Sequence, residues 1–207
     1  MELKDLRINF LGDSITQGGF DTYYRFDNII ARETGAICHN YGVSGTHIAK
    51  GKPDSFCDRA PFMDYDTDLI VIFGGTNDYN YGAPIGEMSD RDDSTFYGAL
   101  HTLLSYVIER VTAAKVVMVT PLHRQVEDVI GTECGNPEKA GVLLDYVNAI
   151  RDVAEYYSVP VLDLYKNSGI TAAIPSIMQQ LMPDGLHPND EGHKIIAHKM
   201  IKFISNL

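Results

Sequence analysis

Apolar and polar positions along the chain follow two periods that alternate from one end to the other. Five short runs rich in β-branched and apolar residues occur at wide intervals: Arg7 to Leu11, Ala36 to Tyr41, Asp68 to Phe73, Lys115 to Thr120, and Val159 to Leu164. Their length and composition predict strands. Between them apolar residues recur at three and four positions, which predicts amphipathic helices. The clearest covers Asp93 to Val111, with Phe96, Leu100, Leu103, Leu104, Val107 and Val111 on one face. A second covers Glu138 to Tyr157. A third starts at Pro188 or Asn189 and ends at Ile204, with Asn189 as its N-cap, and a weaker one covers Thr22 to Arg32.

Alternating strands and helices predict an α/β fold of three layers, with a five-stranded parallel sheet between helices. Two of the strands, Leu-Ile-Val-Ile-Phe and Val-Val-Met-Val, are continuously apolar, as strands covered on both faces must be. Right-handed crossovers favour the flavodoxin-like order 2-1-3-4-5, which places strands one and three side by side at the switch point. Thr46 to Thr67 and Tyr79 to Asp92 read as long polar loops of the kind that carry function. No repeat, low-complexity stretch or linker interrupts the pattern, so residues 1–207 are expected to form a single domain.

The chain has 207 residues, enough for a full hydrophobic core, and 44% of them are hydrophobic. Its 17 Lys and Arg against 28 Asp and Glu give a net charge of −11. With no basic run to offset it, that charge repels phosphate backbones and anionic membranes, so nucleic acid is not an expected partner. The longest apolar run, Leu69 to Phe73, is far short of the roughly 20 residues of a membrane helix, and no membrane insertion is expected. Met-Glu-Leu-Lys-Asp-Leu-Arg lacks the apolar region of a signal peptide. Cys38, Cys57 and Cys134 are odd in number and without metal-type spacing, which points to reduced thiols and a cytoplasmic location.

In this architecture ligands bind outside the carboxyl ends of the strands. Those ends read Gly12-Asp13-Ser14-Ile15-Thr16-Gln17-Gly18, then Asn40-Tyr41-Gly42-Val43-Ser44-Gly45, then Gly74-Gly75-Thr76-Asn77-Asp78. Beyond strand five comes Asp184-Gly185-Leu186-His187-Pro188-Asn189. A serine, a histidine with a carboxylate three residues before it, a side-chain amide and glycine N–H groups thus converge on one edge. Acyl transfer requires such a set. Serine is a weak nucleophile until a histidine accepts its proton, and a carboxylate holds that histidine's tautomer. Ser14, His187 and Asp184 are the candidates. The N–H groups of Ser14 and Gly45 and the amide of Asn77 are candidate donors to the oxyanion.

These blocks resemble the SGNH hydrolases of the GDSL esterase/lipase family. Gly-Asp-Ser, the glycine of Val43-Ser44-Gly45, Gly-Thr-Asn-Asp at 75 to 78 and Asp-x-x-His at 184 to 187 occur in family order across residues 12 to 187. Ile15 stands where the motif's name has leucine. The resemblance implies Ser14 as nucleophile, Asp184 and His187 as the rest of the triad, and Ser14, Gly45 and Asn77 as the oxyanion hole. It implies an ester hydrolase with no cofactor and no metal. Family substrates range over acetylated carbohydrates, aryl esters, thioesters and lysophospholipids. The polar loops and the lack of an apolar lid tilt the expectation to a small ester, short in its acyl group and carbohydrate-like in its alcohol. A lysophospholipase or thioesterase, or an acyltransferase with the same triad, is the nearest alternative.

Other residues admit competing roles. Asp13 is expected to bond backbone in its turn, and Gly74 and Gly75 to permit a sharp loop. His47 and His123 lie close enough to strand ends to reach a cleft, but neither shows a carboxylate at an orienting spacing. Asp190 and His193 invite a metal reading together with Asp184 and His187, although a capping-turn or surface position for His193 is preferred. Cys38 reads as a small buried hydrophobe. For Tyr65, Tyr79 and Tyr81, walling a cleft and covering the sheet edge remain equally open. A function of another class, a flavin- or phosphate-binding module built on Ser14 to Gly19, leaves Asn77, Asp184 and His187 unexplained, and oligomeric state is open.

Overall fold

The computed structural model describes residues 2–19, 22–51, 53–111, 115–131, 133, 135 and 137–207; Cys134 lies outside them. Among the described residues the strands are β1 (Arg7–Gly12), β2 (Ile37–Gly42), β3 (Leu69–Phe73), β4 (Lys115–Val119) and β5 (Val161–Leu162). The helices are α1 (Ser14–Gln17), α2 (Phe26–Thr34), α3 (Phe56–Arg59), α4 (Thr76–Tyr81), α5 (Phe96–Ile108), α6 (Leu143–Tyr156), α7 (Leu164–Asn167), α8 (Pro175–Leu181) and α9 (Asp190–Ser205). The strands pair in parallel in the order β2-β1-β3-β4-β5, with Gly12 opposite Gly42 on one side and Phe73 on the other. The doubly wound three-layer architecture and its switch point are as expected. No helix among the described residues is long and apolar enough to cross a membrane.

Strand alternation divides the core in two. Ile70, Ile72, Val116 and Met118 point to the face covered by α5 and α6, where they meet Phe96, Leu100, Tyr146 and Ile150. Leu69, Val71, Phe73, Val117 and Val119 point to the other face and meet Phe26, Ile30, Ile196 and Met200 of α2 and α9. Each fully buried aliphatic side chain contributes about 1.5–3 kcal/mol, so both layers are fixed by strand residues that the sequence shows as unbroken apolar runs.

Differences from the expected elements have local causes. β5 is shorter than Val159 to Leu164 because Pro160 has no N–H to donate and Asp163 leaves the strand to cap α7, its side chain accepting from Lys166 N. The helix expected from Asp93 begins at Phe96, where Thr95 caps Gly98 N. The one expected from Glu138 begins only at Leu143. Asn189 caps α9 as expected, accepting from Gly192 N. The stretch read as a loop over Thr46 to Thr67 contains α3, built on a capping box in which Ser55 and Asp58 each accept the other's backbone N–H. Tyr79 and Tyr81 are not in a loop but in α4, which closes with Tyr81 before Gly82.

Candidate active site

Four strand-end segments meet at the carboxyl edge of the sheet. β1 ends at Gly12, and Asp13 then caps α1 by accepting from Ile15 N at 2.9 Å, the backbone role expected of it. Burial pushes the Asp13 carboxyl up to about 6, against the pull of that N–H and of the charges of His187 and Arg59. Ser14 is therefore the first residue of a helix that starts where the strand stops. The end of β2 holds α1 from beside it: a Cβ on Gly42 would lie 2.2 Å from Gln17 N, so only glycine allows the approach. Asn40 Nδ2 donates to Thr16 O, and Gln17 Oε1 accepts from both Ser44 N and Ser44 Oγ.

Across 173 residues of sequence, Ser14 Oγ lies 2.9 Å from His187 Nε2. His187 Nδ1 lies 2.7 Å from Asp184 Oδ2, and Asp184 Oδ1 accepts the backbone N–H groups of Leu186 and His187. Burial alone would raise the Asp184 carboxyl. The hydrogen bonds from the His187 ring and from the two backbone N–H groups outweigh it and hold the group below the usual carboxylate range. The residue three positions before His187 thus shapes the turn with one oxygen and holds the ring with the other.

Asn77 sits in the first turn of α4, after Gly75 makes the bend at φ 106°, a conformation that favours glycine. One hydrogen of its amide is donated to Thr46 O at 3.0 Å, which fixes the amide plane against the loop that carries Gly45. Asp78, fully buried, reaches the same loop and accepts from Ile48 N and Ala49 N. Burial pushes its carboxyl up to about 7 even against those two donors. Asn77 and Asp78 therefore both bond a neighbouring loop, Asp78 in addition to its own backbone N–H.

Ser14, Gly45, Asn77 and His187 line one cleft of about 520 Å³, and Ser44, Asn80, Tyr81, Arg124, Glu133 and Leu186 wall it further. Of the three tyrosines, Tyr81 faces the cleft, its ring 5.1 Å from that of His47. Tyr79 is buried and donates to Val126 O and Val129 O, while Tyr65 packs against the core and donates to Ala60 O. Cys38 is half-buried, and burial raises its thiol to about 12. Arg124, Asn80 and Glu133 carried no motif that would have marked them. Asn80 is carried by α4, whereas Arg124 and Glu133 reach the site because the segment after β4 folds over that helix, with Arg124 Nη1 donating to Thr76 and Nη2 to Asn80 Oδ1.

Two histidine expectations need correction. His123 does have an orienting carboxylate, Glu127, four residues on and 2.6 Å from Nδ1; Glu127 also accepts from Arg124 N, so the pair organises the turn after β4. His193 is not a surface residue: it lies in the turn that follows the Asn189 cap, its N–H donating to Asn189 O. It is buried, its ring is stacked on Phe26, and Nδ1 accepts from Phe26 N at 3.2 Å. Asp190 accepts from Tyr23 N and Tyr24 N, so it and His193, two of the four residues of the metal reading, are turned to backbone donors at the start of α2 and just before it. Burial drives the His193 ring down to about 4, from an ordinary value near 6.5.

That depression sets a pH dependence of stability. Below about 6.5 the unfolded chain takes up a proton that the folded chain refuses until about pH 4, so this histidine removes stability as pH falls through that window, by up to about 3 kcal/mol. Denaturant titrations at pH 7 and pH 5 should show the loss, and His193→Gln, which keeps an acceptor for Phe26 N, should flatten it. An equal slope in both proteins would contradict the assignment.

A GDSL-like lipase/acylhydrolase family model matches residues 10–195. A crystal structure of a protein from Lactobacillus plantarum is 32% identical, superposes with a TM-score of 0.88, and covers 98% of each chain. A possible lipase from Chitinophaga pinensis is 21% identical over 98% of each chain, TM-score 0.73. A lipase/acylhydrolase from Enterococcus faecalis is also 21% identical, over 97% of this chain and 96% of its own, TM-score 0.67. No curated protein matches the chain significantly. With the family pattern spanning nearly its whole length and the fold shared end to end, the chain belongs to the GDSL-like lipase/acylhydrolase family and is a carboxylic ester hydrolase.

Proposed function

We propose that the protein hydrolyses short-acyl esters, chiefly acetyl esters, of a polar and carbohydrate-like alcohol through an acyl-enzyme on Ser14. The observation that carries this is the row of bonds from Ser14 Oγ to His187 Nε2 at 2.9 Å and from His187 Nδ1 to Asp184 Oδ2 at 2.7 Å. As Ser14 Oγ attacks the ester carbonyl carbon, its proton passes to Nε2, and the ionised Asp184 stabilises the imidazolium that forms. The carbonyl oxygen becomes an oxyanion, which the N–H groups of Ser14 and Gly45 and the remaining amide hydrogen of Asn77 stabilise. Collapse returns the Nε2 proton to the departing alcohol. Water then attacks the acyl-serine by the same relay and releases the acid.

The walls of the cleft support the substrate class. Arg124 Nη2 donates to Asn80 Oδ1, and Asn80 Nδ2 donates to Glu133 Oε1 at 3.3 Å, giving a row of donors and acceptors beside the reacting groups. Hydroxyl groups both donate and accept and can satisfy such a row, whereas a long acyl chain against it would desolvate charged groups without compensation. Hydrolysis of p-nitrophenyl esters from acetate to decanoate, followed by acetylated sugars, tests the proposal. We expect kcat/KM to fall beyond butyrate and acetylated sugars to be deacetylated; a rate that rises to octanoate and beyond would replace it with a lipid-type substrate.

A further inference from the structure

We propose that Arg59, which lies in none of the motif segments, is the positioning residue that holds the oxyanion donors in register. The inference rests on the reading of Ser14, Gly45 and Asn77 just given. Arg59 ends α3, and its guanidinium reaches the edge of the sheet. Nη1 donates to Tyr41 O near the end of β2, and Nη2 donates to Gly12 O, the last residue of β1, and to Thr46 Oγ1, both at 3.0 Å. Nε donates to Asp54 O at 2.9 Å, in the residue before the capping box of α3. The helix is itself anchored: Phe56 is fully buried, its N–H donates to His47 O, and the Arg59 guanidinium lies 5.0 Å from its ring centre.

Asp54 ties the side chain to its own helix; each of the other three acceptors leads to a different oxyanion donor. Gly12 precedes Asp13 and Ser14. Tyr41 and Gly42 lead into the turn that presents Gly45. Thr46 receives the Asn77 amide on its carbonyl, while its hydroxyl donates to Val43 O and accepts from Arg59. The guanidinium therefore ties the end of β1 to both ends of the turn after β2, at the point where the donors have to converge. A planar fork with five N–H groups at fixed angles can bond these three acceptors at once; an ammonium offers donors from a single point and cannot. Because donors stabilise an oxyanion only when their placement is fixed before reaction, loosening this junction acts on the transition state more than on substrate binding.

The test uses Arg59→Met, Arg59→Lys, Arg59→Ala and Thr46→Val, each assayed on p-nitrophenyl acetate. Active sites are counted by titration with a serine-directed phosphonate, so that kcat is expressed per reactive Ser14. Per-site kcat of Arg59→Met should fall about 10- to 100-fold, with KM held within about twofold. The inhibition constant of a simple boronic acid, whose tetrahedral adduct places an oxygen where the oxyanion forms, should rise in proportion. Arg59→Lys should recover only part of the loss. Millimolar guanidinium chloride should raise kcat of Arg59→Ala and leave the wild type unchanged. If Arg59→Met fails to fold, Thr46→Val, which removes one acceptor and keeps the arginine, should lower per-site kcat several-fold by the same signature. Wild-type kcat per titrated site in the variants, or a loss confined to KM, would overturn the inference. Ser14→Ala and Asn77→Ala are assayed beside them: activity retained in either defeats the underlying site reading, whereas their loss with intact Arg59 variants defeats only the role of Arg59.

Discussion

Ser14→Ala is expected to lower kcat for p-nitrophenyl acetate by about 10⁴ to 10⁶, with a melting profile close to that of the wild type. The size follows from the chemistry. Without Oγ no acyl-enzyme forms, and what remains is the modest acceleration that oxyanion donors give to direct attack by water. Stability should change little, because the hydroxyl makes one part-buried bond to His187, worth about 1 kcal/mol. A serine-directed phosphonate should label Ser14 and leave Ser44, whose hydroxyl is donated to Gln17, unmodified. Labelling at Ser44, or full activity in Ser14→Ala, would remove Ser14 from the mechanism.

Asn77→Ala should lower kcat by about 10² to 10³, roughly 2.7 to 4 kcal/mol, with KM almost unchanged. The asymmetry is the informative part. A donor aimed at the oxyanion bonds the developing charge far more strongly than it bonds the ground-state carbonyl, so its removal appears in kcat. The bond from Asn77 to Thr46 O is lost with it and the Gly45 loop is freed, which acts on the other proposed oxyanion donors in the same direction. A rise in KM alone would instead make Asn77 a substrate-binding residue.

The order of the strands, the two-faced core and the residues that meet at Ser14 were legible in the sequence for a common reason. Strands covered on both sides must be continuously apolar, as Leu69–Phe73 is, and a parallel sheet puts whatever follows each strand on one edge. Ser14, Gly45, Asn77 and His187 could therefore be gathered without knowing a distance, and they line one cleft. Asn189 as the cap of α9 was equally local, a side chain bonding an N–H three residues on.

Tertiary structure alone decided the rest, because the partners are distant in sequence and leave no periodic trace. His193 looks like any polar residue early in a helix until Phe26 N, 167 residues away, is brought to its ring. Tyr79 and Tyr81, two apart, are sent to opposite environments by the helical turn between them, one into the core and one to the cleft. Arg59 stands at the end of a four-residue helix whose only local mark is a capping box, and its acceptors lie at positions 12, 41, 46 and 54. Hydrophobic period and turn chemistry are properties of neighbouring residues and can be read in order along the chain. The bonds from Arg59 to Gly12, Tyr41 and Thr46 join segments that only the packed sheet brings together.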